Sequence, residues 1–572
     1  ETGLNWIDFD SYGPDVWNIG MFTPDEIYTG ARGLLSTFGY DHTGKKLSGN
    51  PSLDDFFTKK DENGNFTREN PSFQPIYIAG YIQDKFAFDD LIFNVGVRID
   101  RYDANQSVLK DKYSLFPTKT VAEVGEIPNK PSNIGDDFVV YVNDVSDPKV
   151  GQITGYRDGD TWYNADGEEI SDPAVLSSSG IPSPWLVDPN KNDVFRDLDG
   201  SSFKDFDPQV NISPRVSFSF PISDEALFFA HYDILTQRPS AGNRMDLLSY
   251  LNFQGGGFSY FGTNNPINNP ALKAEQTIDY ELGFQQKLSN YSALKLSAFY
   301  REFRNQVQMT QVIGAYPGNY FTYENMDFGT VKGMTVSFDL RRKGNVTMRA
   351  AYTLQFADGT GSSATTSLGL VSSGNGNLRT LVPLSFDQRH AILLSADYRY
   401  GQGKSYNGPV LFGKQILKNT GANITLRSGS GTPYTRTARI TGTQIAGQPN
   451  SPQQGQMNAS RLPWTNTIDL KVDRNIDIKW GKGEDEDKKE ASMNIYVQVL
   501  NLFDALNIIN VYSATGNPDD DGFLDAAEWQ NLISTISVDE QAFRDMYMIK
   551  LASNPNNFAL PRRIRLGVQL NF

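Results

Sequence analysis

Alternation of apolar and polar residues, repeated along the chain, most constrains what this sequence can fold into. In the final segment, Ile564 to Phe572, every second residue is apolar and Arg565, Gly567, Gln569 and Asn571 lie between them. Side chains of a β-strand point alternately to opposite faces, so such a segment has one apolar and one polar face. The same pattern predicts about 13 strands, at 75–87, 90–102, 209–222, 226–238, 275–288, 292–305, 322–341, 346–356, 387–399, 416–428, 466–478, 491–503 and 562–572.

The length of these segments distinguishes a sheet that crosses a membrane from a sheet of a soluble protein. Most are a little over ten residues long, which suits a tilted strand that crosses a bilayer. No run of about 18 apolar residues occurs, which excludes a helical membrane span. An edge strand of a soluble sheet is the alternative for the last segment taken alone.

The connections between the segments alternate in length. Short turns lie at 88–90, 222–225, 289–291 and 343–345, and long segments lie at 103–208, 239–274, 357–386, 429–465 and 504–561. Long loops on one side and short turns on the other are typical of outer-membrane barrels. The sequence therefore predicts an all-β fold, a transmembrane antiparallel β-barrel. Residues 75–572 form its C-terminal part, and residues 1–74 are the end of an extracellular loop.

The same alternation predicts the direction of the strands. If the long loops are external, the segment 75–87 runs inward and the C-terminus is periplasmic. In a barrel of 22 strands, the segments would then be strands 10 to 22. The expected partners are the N-terminal half of the barrel, outside this chain, and the lipid of the outer membrane.

Several motifs resemble those of a known family, and they occur in the family's order. They are Tyr81-Ile-Gln-Asp84 with Asn94–Asp100, Ser213-Pro-Arg215, Thr236-Gln-Arg-Pro239, Leu272–Gly283, Asn325 with Gly333, Phe386–His390, Gly431–Thr435, Arg461-Leu-Pro463 and Asn501–Asp504. Together they resemble TonB-dependent outer-membrane transporters, particularly the large SusC-like and Oar-like proteins of Bacteroidetes. The resemblance covers most of the chain.

The resemblance implies uptake of a nutrient across the bacterial outer membrane. In that family a plug domain with a TonB box precedes the barrel and couples it to the TonB–ExbB–ExbD energy transducer; we expect this plug to be absent from residues 1–572. A surface lipoprotein is a further expected partner. Polar wall residues such as Arg98, Asp100, Arg565 and Gln569 would line the lumen. The substrate cannot be read from these motifs. The alternative is a non-transporting barrel that serves as a structural subunit of an envelope assembly or as an adhesin.

Composition narrows the other classes of function. The chain has no cysteine, which excludes thiol catalysis, thiolate metal sites and disulfides. Its histidines are His42, His231 and His390, far apart in sequence, and we expect His390 to lie at a strand rim rather than in a catalytic site. The net charge of −15 argues against nucleic acid as a partner. Gly403-Lys404-Ser405 lacks the glycine of a phosphate-binding loop and predicts a turn. We therefore predict that the protein is not an enzyme.

One motif in the last long loop predicts a calcium site. The segment 517–528 matches an EF-hand loop, in which side-chain oxygens alternate with one backbone carbonyl and a glycine, here Gly522, permits the sharp turn. The predicted ligands are Asn517, Asp519, Asp521, the carbonyl of Phe523, Asp525 and Glu528. Asn517 replaces the usual aspartate and should weaken binding. An acidic turn that caps the following helix is the alternative.

Local patterns predict further features of the loops. Apolar residues at helical spacing predict a helix over 526–536, with Trp529, Leu532, Ile533 and Ile536 on one face. Ser537-Val-Asp-Glu540 predicts the capping box of a second helix. The turn Asp166-Gly167 predicts a small external hairpin. Aromatic residues in the long loops have two interpretations, a packed loop core or a ligand stack; they include Trp6, Trp17, Trp162, Trp185 and Tyr320.

Overall fold

A computed structural model of the chain describes residues 18–30, 38–240, 242–251, 266–371, 376–377, 379–440, 451–480, 489–536, 539–549 and 554–572. Its main feature is one antiparallel sheet in which thirteen strands follow each other in chain order. They are β1 (Ile76–Phe88), β2 (Leu91–Asp103), β3 (Gln209–Ser223), β4 (Ala226–Gln237), β5 (Glu275–Ser289), β6 (Ser292–Val312), β7 (Tyr320–Lys343), β8 (Val346–Gly359), β9 (His390–Arg399), β10 (Thr420–Gly429), β11 (Thr465–Trp480), β12 (Lys489–Leu500) and β13 (Arg563–Asn571). A short strand, Val382–Pro383, adds to β8.

Each predicted strand is present, and the differences lie at the strand ends. β9 begins at His390 rather than at 387, because the Asp387 side chain accepts a hydrogen bond from the backbone of Ala357, 2.9 Å away, and holds that residue outside the ladder. β10 begins at Thr420 rather than at 416, because residues 416–419 belong to the preceding connection. β12 ends at Leu500 because Asn501 adopts a positive φ of 54°.

The strand β6 extends well beyond its predicted end, as far as Val312, whereas β7 is two residues longer than predicted at each end. The prediction stops at 305, where the apolar residues change phase. In the structure Asn305 has φ of 57° and the register shifts between Phe303 and Gln306. A bulge inserts an extra residue and so moves the following side chains to the other face. Beyond it, Val307 and Met309 are buried and the ladder continues to the pair of Val312 with Tyr320.

The long connections pack against one another at one end of the sheet. The segment before β1, the β2–β3 connection, the β4–β5 connection and the tips of β6 and β7 share one apolar core, which includes Phe56, Leu186, Met245 and Tyr320. We call this assembly of residues 38–74, 104–208, 242–251 and 307–324 the canopy. Its contacts show that these long connections lie on the same side, as the loop lengths predict. Whether that side is extracellular remains a prediction.

The canopy contains small elements of its own. A five-stranded sheet is formed by Val139–Val142, Ile153–Asp158, Thr161–Asn164, Glu169–Ile170 and Ser183–Pro184. The predicted hairpin with its turn at Asp166-Gly167 is part of this sheet. A second small sheet pairs Ser107–Leu109 with Phe203–Asp205. The helices of this half of the chain are α1 (Pro24–Gly30), α2 (Leu53–Thr58), α3 (Val121–Val124), α4 (Val194–Asp197) and α5 (Leu247–Leu251).

The remaining elements lie in the later connections. The helices are α6 (Leu368–Val371), α7 (Gln530–Ile536) and α8 (Glu540–Tyr547), and the paired short strands are Val410–Leu411 with Lys414–Gln415, Pro433–Tyr434 with Ser460–Arg461, and Arg436–Thr437 with Gln453–Gln454. Single 3₁₀ turns occur at Ile19–Met21, Val150–Gln152, Pro173–Leu176, Gly200–Ser202, Gly403–Ser405, Ala527–Trp529 and Pro555–Asn557. Within the described ranges, no helix combines the length and apolar character needed to cross a bilayer.

Candidate functional site

The predicted wall residues share one face of the sheet. Residues paired directly across neighbouring strands point to the same side. Arg98 of β2 pairs with Ser213 of β3, and Gln498 of β12 pairs with Arg565 of β13. The register between them carries the same face through every strand, along the pairs Arg215–Asp233, Asp233–Asp279, Asp279–Arg301, Ser297–Thr335, Thr335–Thr353, Arg349–Ser395, Asp397–Asn423, Asn423–Lys471 and Lys471–Gln498.

Ion pairs are distributed across this polar face. Asp100, which is buried, lies 2.9 Å from Arg98 and also accepts a hydrogen bond from the Tyr77 hydroxyl. Similar pairs follow around the sheet: Arg301 with Asp279 at 3.1 Å, Arg349 with Asp339 at 2.9 Å, Arg399 with Asp473 at 2.6 Å and Arg427 with Asp469 at 2.6 Å. The exposed pairs among them, such as Arg349 with Asp339, stabilise a protein by only about 0–1 kcal/mol each. Their main consequence is a hydrated, charged surface opposite the apolar face.

Two of the motifs that carry the family resemblance contact each other. Asp387, from the motif 386–390, is almost fully buried and pairs with Arg461 of the motif 461–463. Arg461 also donates to the backbone carbonyl of Asp387 at 2.7 Å, while the Asp387 carboxylate accepts the Ala357 N–H. We call this contact the Asp387–Arg461 latch. It ties the β8–β9 connection to the β10–β11 connection at the rim of the sheet.

His390 lies beside the latch, at the first position of β9, as its prediction as a rim residue requires. Its Nδ1 lies 2.9 Å from the Tyr352 hydroxyl, and its ring stacks on Trp464 with centroids 5.7 Å apart. The structure therefore gives His390 a packing role. His231, on the polar face, lies 3.9 Å from the carboxylates of both Asp279 and Glu281.

Inside the canopy, Arg157 is a buried charge with three partners. Its side chain is 5% exposed and pairs with Asp111. Its Nε donates to the Tyr141 hydroxyl at 2.9 Å, and another nitrogen donates to the Gly159 carbonyl at 2.8 Å. Burial raises the pKa of the Tyr141 phenol well above its usual range, and the charge of Arg157 opposes that rise. This cluster holds the five-stranded sheet to the segment that follows β2.

Lys112 links the canopy to the tip of β7. Its Nζ lies 2.9 Å from Asp160 and 3.0 Å from Glu324 of β7. Burial raises the pKa of Asp160, because it favours the neutral acid. Hydrogen bonds from Lys112 and Tyr113 and the charge of Lys112 outweigh burial, so the pKa of Asp160 is lowered. A lowered carboxyl pKa stabilises the canopy above the ordinary pKa of the group, and that contribution is lost as pH falls through the folded value.

The aromatic residues of the long loops are mostly core residues. Trp162, Trp185 and Tyr320 are buried, and Trp162 packs between Tyr141 and Tyr113 with ring centroids 4.8 and 5.2 Å away. Of the two interpretations, the packed loop core is the one the structure supports for these three residues. Trp6 and Trp17 lie outside the described residues.

A cavity of about 430 Å³ lies where the canopy meets the end of β2. Its lining combines aromatic rings, amides, carboxylates and one guanidinium, from Phe38, Phe73, Phe206, Asn50, Asn70, Asn105, Gln106, Asp103, Asp205 and Arg244. The Arg244 guanidinium lies 3.4 Å from the centre of the Phe38 ring, and burial lowers the pKa of Arg244. Among the described residues, its Nε and the buried Nδ2 of Asn70 have no hydrogen-bond partner. Sequence inspection does not find this cavity, because its lining comes from segments far apart in the chain.

The predicted calcium ligands lie in a loop that is held by protein contacts. Phe523 is fully buried and packs on Ile533 and Tyr547. The buried Asp521 carboxylate accepts the Phe523 N–H at 3.0 Å and the Tyr547 hydroxyl at 2.5 Å. Gly522 has φ of 78°, as the sharp turn requires. In the part of the chain that the structure describes, no three acidic, His or Cys side chains gather as a metal-binding group.

This arrangement does not assemble the six ligands Asn517, Asp519, Asp521, Phe523, Asp525 and Glu528 around one point. The Asp521 carboxylate accepts one hydrogen bond on each oxygen from within the protein. Calcium binding by the loop stays a prediction.

The helices after the loop correct two details. Trp529 lies in a 3₁₀ turn before α7, and Ile533 is buried as predicted, but Ile536 is exposed. The second helix, α8, begins at Glu540 with Asp539 as its N-cap, whose side chain accepts the Ala542 N–H at 3.0 Å. Asp539 therefore takes the capping role predicted for Ser537, which lies outside the described residues.

Replacing Tyr547 by phenylalanine is expected to loosen the last loop. The change leaves one oxygen of the buried Asp521 carboxylate without this donor, which costs about 1–3 kcal/mol. Limited proteolysis should cut residues 504–561 faster in the variant. Asp545→Asn, an exposed change on the same helix, is the control and should leave cleavage unchanged. Equal cleavage of Tyr547→Phe and the parent would contradict the assigned role of the Tyr547 hydroxyl.

The sheet is continuous, has one apolar face and one polar face with ion pairs, and carries its long connections packed at one end. These features define the wall of a transmembrane antiparallel β-barrel. The family model described as "TonB dependent receptor-like, beta-barrel" matches residues 5–502. The chain belongs to this family, which places it in the bacterial outer membrane.

Solved structures give a more distant likeness, and no curated protein matches the sequence. The ferric-catecholate import receptor Fiu of Escherichia coli K12 is 11% identical, with 78% of this chain and 45% of that chain covered and a TM-score of 0.37. The iron transporter FrpB of Neisseria meningitidis is 11% identical, with 76% and 42% covered and a TM-score of 0.37. The outer-membrane transporter YddB of Escherichia coli is 13% identical, with 79% and 54% covered and a TM-score of 0.37. The chain spans about half the length of these proteins.

Proposed function

We propose that this chain is the barrel wall of an outer-membrane transporter that takes up a nutrient. The observation that carries the proposal is the polar face, which runs unbroken from Arg98 on β2 to Arg565 on β13 and would line the lumen. A pore wall needs such a face, because a polar solute passes along it in contact with water and charged groups. The family match supports the same function.

The proposal includes partners outside this chain. A plug domain would gate the lumen, and the TonB–ExbB–ExbD transducer would supply energy through it. The motif resemblance favours a SusC-like or Oar-like transporter of Bacteroidetes, for which a surface lipoprotein would be a further partner. Calcium in the loop 504–561 is part of this proposal. Chelation that changes neither the bound metal content nor the protease sensitivity of that loop would argue against it.

The canopy cavity is the proposed first contact for the cargo. It combines aromatic rings with amide, carboxylate and guanidinium groups, and such sites hold polar ligands by a few directed bonds. The unpaired Nε of Arg244 and Nδ2 of Asn70 lie in residues that line it. The composition of the lining suits a solute that carries both hydroxyl or amide groups and an apolar surface.

Deleting the gene is expected to abolish growth on one class of limiting nutrient. Growth would be measured on a glycan, a peptide and a metal chelate, each as the limiting source, with and without a protonophore. Uptake should be lost without the gene and suppressed by the protonophore, because the proposed transport needs energy. Ser107→Trp, which places a large ring in the cavity, should slow uptake at least tenfold at low concentration. The control is Ser178→Trp, at an exposed site of the same β2–β3 connection.

The transport proposal would be overturned if the deletion strain grew normally on each nutrient and its envelope complexes were altered in composition. That result would favour the structural subunit or adhesin. If the deletion strain fails to grow but the Ser107→Trp variant is fully active, the transport proposal would stand and the cavity would have no role in uptake.

A further inference from the structure

The connection between β9 and β10 departs from the rest of its side of the sheet. The other connections described at that end, between β1 and β2, β3 and β4, β5 and β6, and β7 and β8, are tight turns. Residues 400–419 instead form a 3₁₀ turn followed by a hairpin, in which Val410 pairs with Gln415 and Leu411 with Lys414. Since the canopy lies at the other end, this hairpin projects on the side that the strand directions predict to be periplasmic.

The tip of this hairpin is apolar and exposed. Val410, Leu411 and Phe412 are 59%, 54% and 94% exposed, and Ile416 is 39% exposed. Phe412 and Gly413 form the two-residue turn, with φ of 50° and 73°. Asn, Asp or Gly is favoured at such positions, and a bulky residue there is strained. A phenylalanine at this position is costly for the turn and exposed to solvent, so its presence points to a contact outside the chain.

The base of the hairpin lies on the apolar side of the sheet. Tyr398 of β9 pairs with Val346 and Ala422, and so belongs to the face opposite the ion pairs. Ring contacts run from Tyr398 to Tyr400 at 5.2 Å and from Tyr400 to Tyr406 at 5.9 Å. The three tyrosines therefore form a row of ring contacts between the lipid-facing surface of β9 and the connection that carries the hairpin.

Hydrogen bonds keep the hairpin in this position. Asn345, in the β7–β8 turn, donates to the Tyr398 hydroxyl at 3.1 Å and to the Asn407 side chain at 2.6 Å. The Gln415 side chain exchanges bonds with both backbone groups of Gly403, at 3.1 and 3.0 Å. The bonds of Asn345 attach the connection to the β7–β8 turn, and the bonds of Gln415 hold the hairpin against the 3₁₀ turn at Gly403.

Its charge differs from that of the whole chain. The chain carries a net charge of −15, but residues 400–419 contain Lys404, Lys414 and Lys418 and no Asp or Glu. The three lysines are exposed and form no ion pair with any described residue. Apolar residues flanked by lysines, next to tyrosines at a membrane boundary, are the features of a segment that enters a leaflet carrying anionic headgroups.

We propose that the hairpin 408–418, attached to the outer rim of the barrel by Tyr398 and Asn345, inserts Val410, Leu411 and Phe412 into the periplasmic phospholipid leaflet, with its lysines on headgroup phosphates. This membrane anchor is independent of what the barrel transports. It rests on the position of the chain in the outer membrane and on the predicted direction of the strands.

Depth measurements at the tip test this proposal. Residues 1–572 contain no cysteine, so one introduced cysteine can be labelled selectively once any cysteine elsewhere in the full-length protein is replaced by serine. The full-length protein would carry an environment-sensitive fluorophore on Phe412→Cys, in vesicles of phosphatidylethanolamine and phosphatidylglycerol. Brominated acyl chains should quench it at least half as strongly as a label on Ile392→Cys, on the lipid-facing side of β9. A label on Ser178→Cys, in the β2–β3 connection, should not be quenched. Replacing the three lysines by glutamine should reduce quenching at position 412 with phosphatidylglycerol present and have little effect in phosphatidylcholine.

Two outcomes would overturn the anchor. In the first, the label at 412 is quenched by aqueous iodide as strongly as the label at 178. In the second, the label at 412 is exposed in vesicles but shielded in native membranes, which would assign the tip to a protein partner. Correct membrane insertion of each variant is checked separately by quenching at position 392.

Discussion

Asp387→Asn is expected to destabilise the rim of the barrel by about 3 kcal/mol, the low end of the range for breaking a buried ion pair. Asp387 is 1% exposed, while Arg461 keeps a quarter of its side chain in water, which moderates the loss. The amide can still accept the Ala357 N–H, but it carries no charge to balance Arg461. The connections β8–β9 and β10–β11 should separate at lower temperature, which thermal unfolding and limited proteolysis of residues 360–389 and 430–464 would detect.

The control for this prediction is Asp358→Asn. Asp358 is the last residue but one of the same strand, β8, and its side chain forms no hydrogen bond or ion pair with the described residues. Its loss of charge should therefore leave stability within about 0.5 kcal/mol. A double-mutant cycle with Arg461→Gln sharpens the test, because residues in one ion pair are non-additive. The double variant should be little worse than Asp387→Asn alone. Additive losses would contradict the latch.

The strands could be predicted because membrane strands obey a simple rule. Each strand crosses a bilayer, so its lipid-facing side appears in the sequence as an apolar residue at every second position. Strands that follow each other in the chain pair with each other, so their pairing can be predicted from their order. The errors occur where another interaction competes with that rule. Asp387 is predicted to be the first residue of a strand, but its side chain accepts a hydrogen bond from a backbone N–H of β8. Ile416 and Leu417 continue an apolar pattern that belongs to the hairpin, and the bulge at Asn305 changes the phase of β6.

The sites could be predicted less well, because they depend on contacts between distant segments. The motifs around Asp387 and Arg461 are recognisable separately, yet their pairing requires the register of β8, β9 and β10. The cavity beside Arg244 combines residues from six separate stretches of sequence. The EF-hand spacing around Asp521 predicts ligands, while the structure adds a partner, Tyr547, that spacing cannot indicate. Local sequence patterns therefore predict the strands and helices. The sites in the loops can be identified only from contacts in the three-dimensional structure.

Arg157→Met is expected to have a large local effect on the canopy. Methionine fills similar space but removes a guanidinium that serves three partners, so Asp111 becomes a partly buried carboxylate without its cation. Removing one member of a buried pair costs about 3–5 kcal/mol. Because the loss falls on the five-stranded sheet, it should open the canopy and leave β1–β13 intact.

Hydrogen exchange would separate these two parts of the molecule. Amides of Val139–Val142 and Ile153–Asp158 should exchange at least a hundredfold faster in Arg157→Met, while amides of β5, β6 and β7 below the bulge keep their protection. Arg196→Met, in which an exposed arginine loses a weak pair with Asp193 at 3.6 Å, is the control and should leave both regions unchanged. If the wall lost protection together with the canopy, the two would unfold as one unit. In that case the canopy could not rearrange around a cargo while the barrel stays closed, and the cavity at Arg244 would have to bind as it stands.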